Sequence, residues 1–326
     1  MLRRRTLVRA TGAALLPAAA LLHAQAQGRP MRVSYHSVRI TPNEFEQAFE
    51  RGMRERGWVP GSNLLLDYRF AGFDADREAA LVTAALQSKP DLFVVADAML
   101  SRSPWTLTTV APMVFPAFGD PIASGATTSL SRPDGNVTGT TVFHIELSAK
   151  RLDFLKQALP DMRRAAALFN VRRRVKPTGV AASVKAGETL GIAVSELGVV
   201  LPDGLEEAVG HAARQGVQGI AVISDLGTIS HRARICDVTQ AHKVPTIFSN
   251  RTYLRAGGFM SYGPDLEGVF HRGAYFADRI LKGAKPADLP IEQATNFQLV
   301  LNQKTAKALG RKFPAALMAQ ATEIIE

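Results

Sequence analysis

FPAFGDPIASGATTSLSRPDGNVTG, residues 115–139, is the stretch that decides how this chain is organised. The apolar run Met113, Val114, Phe115 stops at Gly119-Asp120-Pro121, and a long segment rich in Gly, Ser, Thr and Pro follows before a β-prone run at 137–143. That is too long for an ordinary connection inside a compact domain, so it is either functional or a passage between two bodies. Strands and helices alternate before it, and the same alternation begins again after it. The expectation is a crossing between two similar lobes, with Asp120 at the lip of the space between them.

Upstream, strands are expected at 31–38, 64–70 and 91–96, the last (DLFVVA) a continuous apolar run of the kind seen when both sheet faces are covered. Thr41-Pro42-Asn43-Glu44 has capping-box spacing with Pro at the first helical position, which predicts a helix start there. Phe45, Phe49 and Met53 recur along that helix until Gly57, and further helices are expected at 74–87 and 101–110. Downstream the pattern is helix 147–159, strand 164–170, helix 178–190, strand 194–200, helix 205–215, strand 219–224, helix 230–242 and strand 244–249. A strand at 257–262, a helix at 266–281, a long strand-like run at 291–302 and helices at 305–309 and 314–325 complete the chain. Near-continuous apolar strands alternating with helices predict an α/β protein of two comparable halves, each a parallel sheet wrapped by helices.

The composition, 46% hydrophobic and 21% charged over 326 residues, is that of a globular chain able to bury a substantial core. The formal charge of +10 is inflated by Arg3, Arg4, Arg5 and Arg9. The other basic residues are scattered, apart from Arg172-Arg173-Arg174, and aromatics do not interleave with them, so no nucleic-acid surface is expected. That arginine run reads either as a solvated loop or as a rim that attracts anions. Cys236 is the single cysteine, which excludes an intramolecular disulfide and any CxxC motif, and its helical context predicts a small buried residue. Residues 1–26 read as an export signal: a basic start, an apolar run and then Ala24-Gln25-Ala26, a small-x-small cleavage pattern. The run is too short for a permanent membrane span, and no cysteine follows it to carry a lipid. The expected location is periplasmic, after cleavage near Ala26.

Ligands of open parallel sheets bind beyond the carboxyl ends of the strands. The residues there are Ser37, Asp97, Asp120, Asn170, Ser224, Asp225, Asn250 and Tyr262. Carboxylates suit an ammonium, and amides and hydroxyls suit a carboxylate, so the set fits a small polar or zwitterionic molecule. Each such residue also ends strands through local turns. No GxSxG, HExxH, GxxxxGK[ST] or GxGxxG motif is present and the histidines lack metal-ligand spacing, so neither a cofactor nor an enzymatic function is expected.

Several stretches together resemble one family. They are Phe118 to Pro121, Arg132 to Gly139, Glu146 to Leu152 (ELSAKRL), Ala256 to Asp265 (AGGFMSYGPD) and Ile280 to Pro290 (ILKGAKPADLP). The chain resembles the ABC-transporter substrate-binding proteins of the tryptophan/tyrosine type over nearly all of its length after the leader. The resemblance implies a type I periplasmic-binding-protein fold, two Rossmann-like lobes joined by three hinge crossings, near 136–141, 250–257 and 289–293. Lobe 1 would then comprise 29–138 plus 258–289, and lobe 2 would comprise 139–257 plus 290–326. It also implies a monomer that captures a small-molecule ligand, in the class of amino acids and aromatic or anionic solutes, and presents it to a membrane ABC permease. Asp120, Asn170, Asp225 and Tyr262 would face the cleft. Two departures, Arg172-Arg173-Arg174 where relatives are rich in Asn and Pro and Asp97-Ala98-Met99 where relatives carry Gly-Thr-Pro, leave the ligand open. A ligand-sensing subunit for a membrane receptor and an exported enzyme are the alternatives.

Overall fold

Short runs of Val, Ile, Leu, Phe and Ala form the strands of two sheets, and amphipathic helices cover both faces of each. The structure is a computed structural model that describes residues 29–39, 42, 44–72, 74–96, 111–122, 124–142, 146–171 and 177–326. The expected leader, Thr41 and Asn43 of the capping box, Asp97, the helix at 101–110 and the Arg172 to Arg174 run lie outside the described residues.

The first sheet is six-stranded. It contains β1 (Met31–Ser37), β2 (Leu64–Phe70), β3 (Leu92–Val95), β4 (Met113–Phe118), β5 (Val137–Thr141) and β11 (Glu292–Gln293), in the order β11-β5-β4-β3-β1-β2, all parallel. Between these strands run α1 (Glu44–Glu55) and α2 (Ala75–Ser88). Asp74 caps α2 through Arg77 N, 2.9 Å away.

The second sheet is seven-stranded, in the order β13-β12-β10-β9-β8-β6-β7. Its strands are β6 (Arg164–Asn170), β7 (Ala193–Val199), β8 (Gly219–Val222), β9 (Thr246–Phe248), β10 (Met260–Pro264), β12 (Phe297–Asn302) and β13 (Glu323–Ile325). All neighbours are parallel except β10 and β12. Its helices are α3 (Glu146–Ala158), α4 (Thr178–Leu190), α5 (Leu205–Arg214), α6 (Leu226–Ser230) and α7 (Arg232–Ala241), with a 3-10 helix at Arg251–Ala256. The chain then adds α8 (Leu266–Leu281), α9 (Gln303–Ala308) and α10 (Ala315–Met318).

Each sheet is buried on both faces, as continuous apolar strands require. In the first lobe Val33, Tyr35, Leu92, Val94 and Val114 pack on Phe49 and Met53 of α1 and Phe270 and Ala274 of α8. On the opposite face Phe93, Val95, Met113 and Phe115 meet Ala85 of α2. The second lobe sets Ala165, Ala221, Ile247 and Met260 against Leu152 and Leu155 of α3. Its other face joins Leu168, Ile220 and Val222 to Leu205, Val209, Ile235 and Val238. Each such large side chain is worth roughly 1.5–3 kcal/mol when fully buried. Cys236 lies in this last layer, reaching Tyr253 O at 3.6 Å, and burial pushes its thiol up to about 12.

Sheet membership corrects the expected boundaries. β10 hydrogen-bonds to β9 and β12, so the segment from 258 to Pro264 belongs to the second lobe. The chain passes to the first lobe at Asp265, not along 250–257, which forms the 3-10 helix linking β9 to β10. β5 is wholly in the first sheet, so the first crossing follows Thr141. The run expected as one strand at 291–302 is two, β11 in the first sheet and β12 in the second, with the third crossing between them. The segment expected as a closing helix stops at Met318. Ile324 and Ile325 instead extend the second sheet, because β12 offers a free edge to β-branched residues.

Candidate ligand-binding cleft

All three crossings leave the carboxyl ends of strands: β5, β10 and β11. The two lobes therefore meet where both sheets present their strand ends, the place where open α/β sheets bind ligands. Two crossings are tied together by Asp265 N donating to Asn296 O at 3.0 Å. Beside them, Arg255 of the 3-10 helix bridges to Glu44 on α1 at 2.5 Å and to Glu267 on α8 at 3.5 Å, an ion cluster that joins the lobes.

On the first lobe, β1 ends at Ser37, whose Oγ accepts from Arg39 N at 3.1 Å and Arg39 Nε at 3.0 Å. Arg39 reaches on to pair with Glu46 of α1, a carboxylate 1% exposed that also accepts from Tyr35 Oη at 3.0 Å. The Arg39 guanidinium also lies over the stacked rings of Phe45 and Phe270, 5.3 and 5.8 Å from their centroids. Beneath, His36 is buried against Phe93 with Nε2 2.9 Å from Ser34 Oγ. Burial, reinforced by the Arg69 charge, pushes its imidazole down to about 4, so it is neutral at pH 7.

Two residues past β4 stands Asp120, whose Oδ1 accepts from Ile122 N at 3.1 Å in an Asx turn. Thr141 Oγ1 donates to Gly119 O at 2.5 Å, fastening this corner to β5. Gly139 is required in β5: its φ is +141°, and a Cβ there would overlap Phe115 O. The polar loop between β4 and β5 is organised by Asp134, which accepts from Thr127 Oγ1 and Thr128 Oγ1 at 2.7 Å each and from Thr128 N at 2.9 Å. These bonds hold its carboxyl well below the usual range.

On the second lobe, Asn170 ends β6 with its side-chain amide against Gly227, so closely that a Cβ on that glycine would collide with it. Asp225 caps α6: its Oδ1 accepts from Thr228 N at 2.7 Å, and Thr228 Oγ1 accepts from Asp225 N at 2.9 Å. Ser224 Oγ and Thr228 Oγ1 lie 3.1 and 3.0 Å from the hydroxyl of Tyr253, which is fully buried and stacked on Phe248. Asn250 caps the 3-10 helix through Thr252 N at 3.1 Å and donates to Ser249 Oγ at the same distance. The ring of Tyr262 packs between Phe154 of α3 and Phe297 of β12. Its backbone oxygen accepts from Arg151 Nε at 2.7 Å.

The structure thus brings Ser37 and Asp120 to the mouth of one sheet and Asn170, Ser224, Asp225 and Asn250 to the mouth of the other. The Tyr262 ring is turned toward α3. Among the described residues, the side chains of Asp225 and Asn250 are committed to helix caps.

A family model described as ABC transporter substrate binding protein matches residues 42–325. The chain belongs to that family. A curated relative, the tyrosine-binding protein of Clostridioides difficile (strain R20291), is 22% identical over 265 residues, covering 81% of this chain and 76% of its own length. A structure of an ABC domain in complex with L-Trp from Streptococcus pneumoniae superposes with a TM-score of 0.80 at 22% identity, covering 91% of this chain and all of that one. A conserved domain protein from Vibrio cholerae matches with a TM-score of 0.79 at 21% identity, over 91% of this chain and 100% of that one. The fold of this substrate-binding protein is the type I periplasmic-binding fold.

Two residues at the mouths of this family member escape a search confined to strand ends: Arg39, two residues past β1, and Arg151 on α3. Arg151 does leave a trace in the sequence. Leu147 and Leu155 stand eight residues apart on the buried stripe of α3, and Arg151 occupies the position midway between them.

Proposed function

We propose that this chain captures a small polar or zwitterionic solute between its two lobes and delivers it to a membrane ABC permease, without chemical turnover. The observation that carries the reading is the opposition of two sets of strand ends across three crossings, within a chain that matches a substrate-binding family from residue 42 to 325. Closure follows from ligand contacts made by both lobes at once, since a ligand shifts an equilibrium only by its differential affinity for the two states. Aromatic amino acids are the first class to test, because relatives at 22% identity carry tyrosine-binding and L-Trp-bound descriptions. An exported location fits the leader pattern at 1–26, and among the described residues no helix is long and apolar enough to cross a membrane. Isothermal titration of the chain from residue 27 onward against amino acids, aromatic acids, nucleobases and sugars tests this reading. Saturable one-to-one binding of one class is expected, and no binding across the panel would overturn it.

A further inference from the structure

Several arginines near the crossings are matched by an acid. Arg251 lies 3.2 Å from Glu323 and Arg255 lies 2.5 Å from Glu44. In the first lobe Arg39 has Glu46, and Arg272 has Glu292 at 2.6 Å. Arg151 has no acidic partner among the described residues. It is partly buried on the apolar stripe of α3, and its one hydrogen bond runs from Nε to the backbone oxygen of Tyr262. Among the described residues its terminal nitrogens Nη1 and Nη2 have neither a hydrogen-bond acceptor nor a carboxylate within ion-pair reach. A guanidinium held through Nε alone keeps its two terminal nitrogens available as donors to an incoming acceptor.

The position of this guanidinium suits a ligand. Arg151 lies on the second turn of α3, the helix that follows the first crossing, where side chains lean toward the helix N-terminus. Its acceptor, Tyr262 O, is two residues before the end of β10, next to the second crossing. The neighbouring residue is Gly263, which packs so tightly on Ser249 O that no side chain fits there, and the position a Cβ would take is 3.6 Å from Arg151 Nη2. Burial pushes Arg151 down to about 10, and the phenols of Tyr253 and Tyr262 oppose that shift electrostatically.

We propose that Arg151 is the anchor for a ligand carboxylate, with Nη1 and Nη2 forming the two-pronged contact that guanidinium and carboxylate geometry favours. This rests on the solute-binding reading above and narrows it: the solute carries a carboxylate, and the second lobe is the one that reads it. Arg39 is not equivalent, because Glu46 already answers its charge.

The test compares pairs of probes that differ only in the carboxylate: L-tyrosine with tyramine, L-tryptophan with tryptamine, and phenylpropionate with phenylpropanol. Titration calorimetry on the intact mature chain is expected to show the carboxylate form of a pair binding about 10- to 100-fold tighter, the size of a charge-assisted contact. In Arg151→Met that preference should collapse to about onefold, with the affinity for the decarboxylated probe unchanged. Arg151→Lys, which keeps the charge without the fork, should recover part of it, and it serves as the second variant if the methionine chain does not fold. Wild-type binding with no carboxylate preference, or a preference unaltered in both variants, overturns the assignment of Arg151 and leaves the solute-binding reading standing. A wild-type chain that binds none of these probes and nothing in the wider panel overturns both.

Discussion

Among the described residues, Arg39 of the first lobe and Arg151 of the second are held in opposite ways. On the first lobe Arg39 is enclosed by Glu46, two aromatic rings and the Ser37 hydroxyl, and its charge is answered within the lobe. On the second lobe Arg151 is held by a backbone oxygen alone. The same side chain is architecture in one place and an open valence in the other, and the nearest carboxylate makes the difference. A buried cation reports on function only after its partners have been named.

The sharpest way to break this contrast is to remove the acid from the first lobe. Glu46→Ala leaves Arg39 without its counter-ion and Tyr35 Oη without its acceptor, and should destabilise the protein by about 3–5 kcal/mol, read from urea unfolding. Arg151→Met, which strands no charge, should stay within about 1 kcal/mol of wild type in the same assay. Equal losses in the two variants would show that both arginines are structural.

Acid separates the lobes next. His36 lies under the first mouth with its imidazole near 4 instead of the usual 6.5. Its folded value is depressed, so between these values the unfolded chain binds the extra proton. Its contribution is fully present above about pH 6.5 and is lost as the pH falls toward about 4. The span is worth roughly 3 kcal/mol. His36→Gln should flatten the stability profile over that range, and a slope unchanged by the substitution would assign the acid sensitivity elsewhere.

The smallest effect belongs to the ion cluster that joins the lobes. Arg255 and Glu44 are 48% and 24% exposed, so solvent and salt screen them, and Arg255→Ala should change stability by less than about 1 kcal/mol. Its consequence is expected in the balance between open and closed lobes, measured by small-angle scattering at low and high salt. A scattering profile that responds to salt equally in wild type and variant would remove the cluster from that balance.

Much of this arrangement is legible in the chain itself. The apolar runs LFVV and AAALF announce strands covered on both faces, whereas the short helix capped by Asp225 falls where no helix is expected before 230. Which sheet a strand joins is not written locally. Met260 to Pro264 reads as a strand, yet only pairing with Ile247, Phe248 and Leu299 assigns it to the second lobe. The break between Gln293 and Phe297 is hidden because Ala294, Thr295 and Asn296 carry neither glycine nor proline to mark a crossing. Ile324 and Ile325 gain strand character from the free edge of β12, a long-range cause. Arg151 is visible as a charge on an apolar stripe, but its missing counter-ion is a fact of three dimensions.

Cys236 gives the molecule an unplanned convenience. As the chain's single thiol, 1% exposed and held protonated in the core, it is silent toward maleimides under native conditions. Fluorophores attached to cysteines introduced at Ile122 and Val171, which are 50% and 44% exposed on the opposing rims, would therefore report without background. The wild-type sequence is already the blank for a molecular ruler across the cleft, able to time each capture and release one molecule at a time.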